Sequence, residues 1–169
     1  MTIHSDHPFL DPEADPVRQL RGRLGGAVTL WTAGSGRRSR AGLTVSSLMV
    51  AGGEDSRLLA LLDPDSDLRQ RLEDTGRGVV HLLQWEHREL AEAFAGQFPA
   101  PGGPFTMAEW DEGDHGPRLL SAPTWATVEV ESFTSVGWSD LVTTRIVDLA
   151  IGEDGAPLEH RRGRYRRLD

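Results

Sequence analysis

This chain of 169 residues has no cysteine and no lysine. The first absence excludes disulfides, thiolate zinc sites, iron–sulfur clusters and a cysteine nucleophile. The second makes all 18 basic residues arginine, which reads as the coding bias of a GC-rich genome rather than as chemistry. Positive charge is also outnumbered. Asp and Glu total 26, the net charge is −8 and the pI is about 5.2. That balance argues against the basic face of a nucleic-acid-binding domain. No apolar run approaches the ~18 residues that a membrane span requires. The opening MTIHSDHPFLDPEADP lacks the apolar region of a signal peptide, so a cytoplasmic protein is the expectation.

What remains is a chain 38% hydrophobic, enough for one domain with a core of its own. Residues 1–16, rich in proline and acid, read as a flexible acidic arm, and residues 17–169 as a single domain. Val17, Leu20 and Leu24 are spaced for a short helix that stops at Gly25-Gly26. Strands are expected over 27–32, 42–51, 57–62, 78–83, 124–133 and 141–151. Two amphipathic helices are expected over 67–74, capped by Ser66 and ended by Gly76, and over 86–94. Residues 97–117 form a long polar excursion around Trp110, and 157–168 a basic tail. So many strands with so few helices point to a barrel or sandwich rather than a doubly wound α/β sheet.

One strand is unusual. Ala41–Ala51 carries hydroxyls at Thr44, Ser46 and Ser47, where a strand serving only a core would carry Val or Ile. Other local motifs are weak. Gly34-Ser35-Gly36 has no βαβ unit after it and reads as a turn. Gly137-Trp138-Ser139 lacks the second glycine of a nucleophile elbow. His4 and His7 have ligand-like spacing but sit in the arm, and the arginine-rich tail over 161–167 could touch phosphate but reads first as a solvated or subunit-facing segment. His81 stands in an otherwise apolar strand, and His87 opens the next helix. Each alone reads as a structural histidine. With the hydroxyl strand they could line a slot for a flat polar heterocycle and a phosphate.

Taken in order, the segments resemble those of the flavin reductase-like, FMN-binding split-barrel family. Gly42–Ser47 (GLTVSS) is similar to that family's G-M-T-V-N-S strand, and 59–66 to the next strand and its Ser/Thr turn. Gly76–Leu83 (GRGVVHLL) resembles G-x-F-V-V-N-V-L, and His87–Gly96 (HRELAEAFAG) resembles Q-x-x-L-A-x-x-F-A-G. Gly116–Leu120 (GPRLL), the alternating strand after it, Pro157-Leu158 and Arg164-Tyr165 complete the series. The likeness covers about residues 17–168.

The resemblance implies a mainly β protein. Its core would be a six-stranded antiparallel Greek-key split β-barrel with two or three short peripheral helices. It implies a homodimer, with flavin near the subunit interface, acting as an NAD(P)H-dependent flavin reductase-like oxidoreductase beside a partner monooxygenase. FMN is the expected cofactor. FAD is allowed because its adenylate end would face solvent. Carried over by position, the flavin contacts are Thr44, Val45, Ser46 and Ser47, then Leu62, Asp63, Pro64 and Ser66, then His81 and His87. Ser66 would serve both as helix cap and as phosphate neighbour. Two departures stand out. The family's Asn in the fourth strand is His81, and its G-D-H turn falls on Gly137-Trp138-Ser139, so that Ser139 replaces a histidine linked to flavin and nicotinamide handling. The second departure favours an alternative, a flavin-binding carrier or sensor without efficient reductase activity. A split-barrel protein using deazaflavin or haem is a further alternative, the latter through His81.

Overall fold

A computed structural model describes residues 15–168. Helix α1 (Pro16–Leu24) leads into β1 (Gly26–Ala27), β2 (Thr29–Ala33), a helical turn α2 (Gly36–Ser39), β3 (Ala41–Val45), β4 (Leu48–Ala51) and β5 (Arg57–Leu62). Helix α3 (Asp67–Thr75), β6 (Arg77–Leu82), a 3-10 turn at Trp85–His87 and helix α4 (Arg88–Phe94) follow. A 3-10 turn at Pro104–Met107, the hairpin β7 (Trp110–Gly113) and β8 (Gly116–Leu119), and the long strands β9 (Trp125–Val136) and β10 (Ser139–Ala150) come next. The chain ends in the hairpin β11 (Leu158–Arg161) and β12 (Arg164–Arg167).

Seven strands make one antiparallel sheet in the order β3-β2-β6-β9-β10-β5-β4. Consecutive strands β3 and β4 therefore lie at opposite edges. A sheet whose two edges are joined by one short step must curl, and this one does so around a core of Trp31, Val45, Leu58, Leu62, Val80, Val128 and Val142. The mainly β split-barrel architecture expected above is observed, with seven strands in its sheet rather than six. The strand expected over 42–51 divides at Ser46-Ser47, and that break is the step from one edge to the other.

Local chemistry explains the helices. Ser66 Oγ accepts the Arg69 N–H at 3.2 Å, and Gly76 ends α3 in the left-handed region at φ 68°. Leu68 and Leu72 are fully buried and plug the barrel with α3; each contributes roughly 1.5–3 kcal/mol by burial. Helix α4 buries Leu90, Ala91 and Phe94 in a second apolar cluster with Leu30, Leu83, Leu119 and Leu158. It approaches β3 so closely that a Cβ on Gly42 would lie 2.5 Å from the Phe94 ring. The excursion over 97–117 is more ordered than its composition suggests. Phe105 stacks edge-on against Phe94 and Trp110, both at 4.9 Å, and Trp110 Nε1 donates to the Phe105 carbonyl at 2.8 Å. The basic tail folds as the β11–β12 hairpin and joins β1 in a three-stranded sheet. The α1 helix forms where expected, but Val17, Leu20 and Leu24 are all exposed. The arm's residues 1–14, with His4 and His7, lie outside the described residues.

Candidate functional site

The corner between β3 and β4 gathers three of the segments singled out in the sequence. Ser47 Oγ donates to the Leu61 carbonyl at 2.9 Å, and the Leu61 N–H returns to the Ser47 carbonyl at 3.2 Å. This ties the serine corner to the end of β5, immediately before Leu62 and Asp63. Ser46 beside it is exposed, and its hydroxyl has no partner among the described residues. Across the next strand, Asp140 pairs with Leu62. Ser139 opens β10 opposite Val136, after a two-residue turn of Gly137, at φ 56°, and Trp138. Thus Ser46-Ser47, Leu62–Ser66 and Ser139-Asp140 share one end of the curled sheet.

Thr44 and Val45 do not face that rim. Val45 is buried in the barrel core, and Thr44 Oγ1 donates to the Ala91 carbonyl of α4 at 2.6 Å. The Thr44 hydroxyl thus anchors a helix to a strand and is spent within the chain.

The turn after β5 is closed on itself. Asp63 Oδ1 accepts the Asp65 N–H at 2.9 Å, and the Asp63 carbonyl accepts both the Ser66 N–H at 3.1 Å and the Ser66 hydroxyl at 2.8 Å. Since Ser66 Oγ also caps Arg69, it has little left for a phosphate. Asp63, Asp65 and Asp67 are exposed around it. The nearest cation, Arg69, is held by Asp140 at 2.8 Å and Glu73 at 2.6 Å, and lies 4.0 Å over the Phe133 ring. The hydrogen bond to Asp140 is the largest influence raising its already high pKa. A carboxylate 4 Å away opposes a phosphate charge by about 1 kcal/mol even in water. Ser66 thus caps α3 inside an acidic turn, with its hydroxyl engaged by Asp63 and Arg69.

His81 is engaged within the chain as well. It is fully buried, with Nδ1 2.8 Å from the Leu30 carbonyl, which makes Nδ1 the donor. Its Nε2 accepts the Leu119 N–H at 2.9 Å. Burial pushes its pKa down to about 4, against a partial rise from the Leu30 bond. Both nitrogens are engaged, so neither a flavin nor a haem iron finds a free one. His87 is separate from the corner as well. Its Nδ1 accepts the Gln84 N–H at 3.0 Å, and its Nε2 meets Ser121 Oγ at 3.0 Å on the wall of a cavity of about 400 Å³ that also includes Glu86, Leu90 and Leu120. Burial lowers its pKa too. Arg69, by contrast, binds the corner together through Asp140 and was not singled out in the sequence. Only the i, i+4 spacing of Arg69 and Glu73 hinted at pairing there.

Flavin can be tested against these residues. The Ser46 hydroxyl, the Ser47 hydroxyl and Ser139 suit the polar edge of an isoalloxazine and the exposed Pro64 an apolar face, whereas the Leu62 side chain is buried in the barrel core. The Asp63–Asp67 turn does not suit a phosphate.

Comparison with known proteins agrees with the fold. The reductase component of 4-hydroxyphenylacetate 3-monooxygenase from Pseudomonas aeruginosa is 25% identical over 161 residues, 94% of each chain. The styrene monooxygenase flavin reductase of Pseudomonas putida S12 superposes with a TM-score of 0.79 at 21% identity, covering 92% of this chain and 98% of that one. A Streptomyces globisporus NADH:FAD oxidoreductase, solved in complex with NAD and FAD fragments, superposes with a TM-score of 0.80 at 20% identity, covering 94% and 95%. At such identities the structural likenesses speak to the fold alone. The family model described as "Flavin reductase like domain" matches residues 21–169, nearly all of the chain, and the protein belongs to that family.

Proposed function

We propose that this protein is an NAD(P)H-dependent flavin reductase that uses FMN or FAD and passes reduced flavin to a partner monooxygenase. The observation that carries the reading is the meeting of Ser46-Ser47, Leu62–Pro64 and Ser139 at one rim within a chain of this family. The monooxygenase partner is suggested by relatives that are reductase components of such systems. When bound, the isoalloxazine supplies the hydride-accepting chemistry. The chain's own part is orientation: Ser46 and Ser47 hold the polar edge, Pro64 shields an apolar face, and Ser139 stands beside the reacting face. We take the working form to be a homodimer in the cytoplasm. Among the described residues no helix is long and apolar enough to cross a membrane. The exposed Met49, Leu61 and Trp138 suit contact with a second copy.

Ser139 in place of the family's histidine favours one other reading, a flavin carrier or sensor. Anaerobic titration of the flavin-loaded protein with NADH and with NADPH separates the two. Stoichiometric loss of the flavin's visible absorbance is the outcome expected of a reductase. A flavin that stays oxidised on the timescale of turnover identifies a carrier, and a protein that binds no flavin refutes both.

A further inference from the structure

A cavity of about 280 Å³ opens between α4 and the β11–β12 hairpin. Its walls include Trp85, Arg88, Glu92, His160, Arg164 and Tyr165. Arg88 lies 5.0 Å over the Trp85 ring, and its only described hydrogen bond is a long one, 3.5 Å, to the Trp85 carbonyl. Among the described residues neither Arg88 nor Arg164 makes an ion pair, whereas Arg40, Arg57, Arg69, Arg71, Arg118 and Arg145 are all paired with carboxylates. Other surface arginines among the described residues also lack a carboxylate partner; what sets Arg88 and Arg164 apart is that both line this one cavity.

The other lining groups extend the pattern. Tyr165 meets His160 edge-on at 5.7 Å. Burial, helped by Glu92, pushes the Tyr165 phenol up to about 12, so it stays a neutral donor, and burial lowers the pKa of His160. Two guanidinium groups suit a phosphate, and indole and phenol rings suit a planar base. Glu92 and Gln97 can accept from ribose hydroxyls or an exocyclic amine. The hairpin wall of the cavity connects to the serine corner through the backbone of β1. His160 pairs with Gly26, and a Cβ on Gly26 would lie 2.9 Å from the Ser46 carbonyl.

We propose that this cavity is an adenosine-phosphate subsite. It takes the charged half of a dinucleotide that the Asp63–Asp67 turn repels. The assignment rests on the flavin reductase reading, and the same chemistry is present in the AMP half of FAD and in that of a nicotinamide nucleotide.

The test is calorimetric titration of the full-length protein with AMP, alongside Arg88→Gln, Arg164→Gln and the distant Arg145→Gln. AMP is expected to bind more tightly than adenosine or inorganic phosphate. Its affinity should fall about tenfold or more in each cavity variant and hold in Arg145→Gln. Arg164 is exposed on a hairpin, so its variant keeps the fold, as circular dichroism would verify. No AMP binding, or equal binding by all variants, overturns the proposal. A fall in FAD affinity relative to FMN in Arg164→Gln assigns the site to FAD. A raised KM for NADH or NADPH with flavin affinities unchanged assigns it to the nicotinamide nucleotide. If neither moves, the assignment to either dinucleotide is overturned. Arginine-dependent AMP binding in a protein that binds no flavin refutes the reductase reading and leaves the subsite standing.

Discussion

Arg69 Nε donates to Asp140 Oδ2 at 2.8 Å, joining the first turn of α3 to the start of β10 across 71 positions of sequence. Both side chains are largely shielded, at 16% and 14% exposure, and Phe133 lies beneath the guanidinium. A charge-assisted bond of this kind is worth more than a surface pair. Asp140→Asn is expected to lower stability by about 1–2 kcal/mol, since Arg69 keeps Glu73 and the ring. Urea unfolding measures it, and an unchanged midpoint would show that the pair is ornamental.

The buried His81 makes stability depend on pH. Its folded pKa, about 4, lies below the usual 6.5, so the unfolded chain binds the extra proton between those values. The stabilisation is therefore complete above pH 6.5 and is lost as pH falls toward 4, by up to roughly 3 kcal/mol. His87 and His160 shift in the same direction, so the His81 share is read as a difference. His81→Asn should flatten the urea midpoint between pH 7 and pH 5 relative to wild type. His81→Leu should cost about 2–4 kcal/mol at pH 7 by stranding the Leu119 N–H and Leu30 carbonyl. Parallel pH profiles for wild type and His81→Asn would count against the assignment.

The two corner serines should separate by function. Ser46→Ala is expected to weaken FMN binding by roughly 1–2 kcal/mol with stability unchanged, because its hydroxyl is turned outward and unused. Ser47→Ala should also cost stability, about 1 kcal/mol, through the lost bond to Leu61. Flavin fluorescence quenching and thermal melts on the same samples distinguish them; equal behaviour of the two variants would refute the division of labour.

Ser139 can donate a hydrogen bond but cannot carry charge near neutral pH, as a histidine can. Reduction of bound flavin by NADH is expected to be slow. Ser139→His should speed it by roughly tenfold or more with little change in FMN affinity. Stopped-flow reduction decides this. Fast reduction in the wild type would mean that the histidine was never needed here.

Trp138 is 96% exposed at the tip of the β9–β10 hairpin, an expensive place for an indole in water. If it packs against a second copy, Trp138→Glu should shift sedimentation from dimer toward monomer at micromolar concentration. A wild-type protein already monomeric with flavin bound would end the dimer proposal.

What the amino-acid order determined by itself was local. Ser66 and Gly76 mark the ends of α3 because capping is settled within one helical turn. The alternation of Val128 with Thr127 and Glu129 marks β9 because a pleated strand sends successive side chains to opposite faces. The ordered series of such segments was enough to point to the family. What tertiary structure decided was the use of each polar group. Thr44 and Ser46 look equivalent along the strand, yet one meets Ala91 and the other only solvent, because the chain turns between them. His81 looked open to a ligand until Leu119, 38 residues on, took its second nitrogen. Arg88 and Arg164 each lay in a segment singled out in the sequence, but nothing local joined the two. A hydrogen bond or an ion pair depends on distances of a few ångströms, and only the closing of the sheet and the docking of the last hairpin bring such distant residues that near.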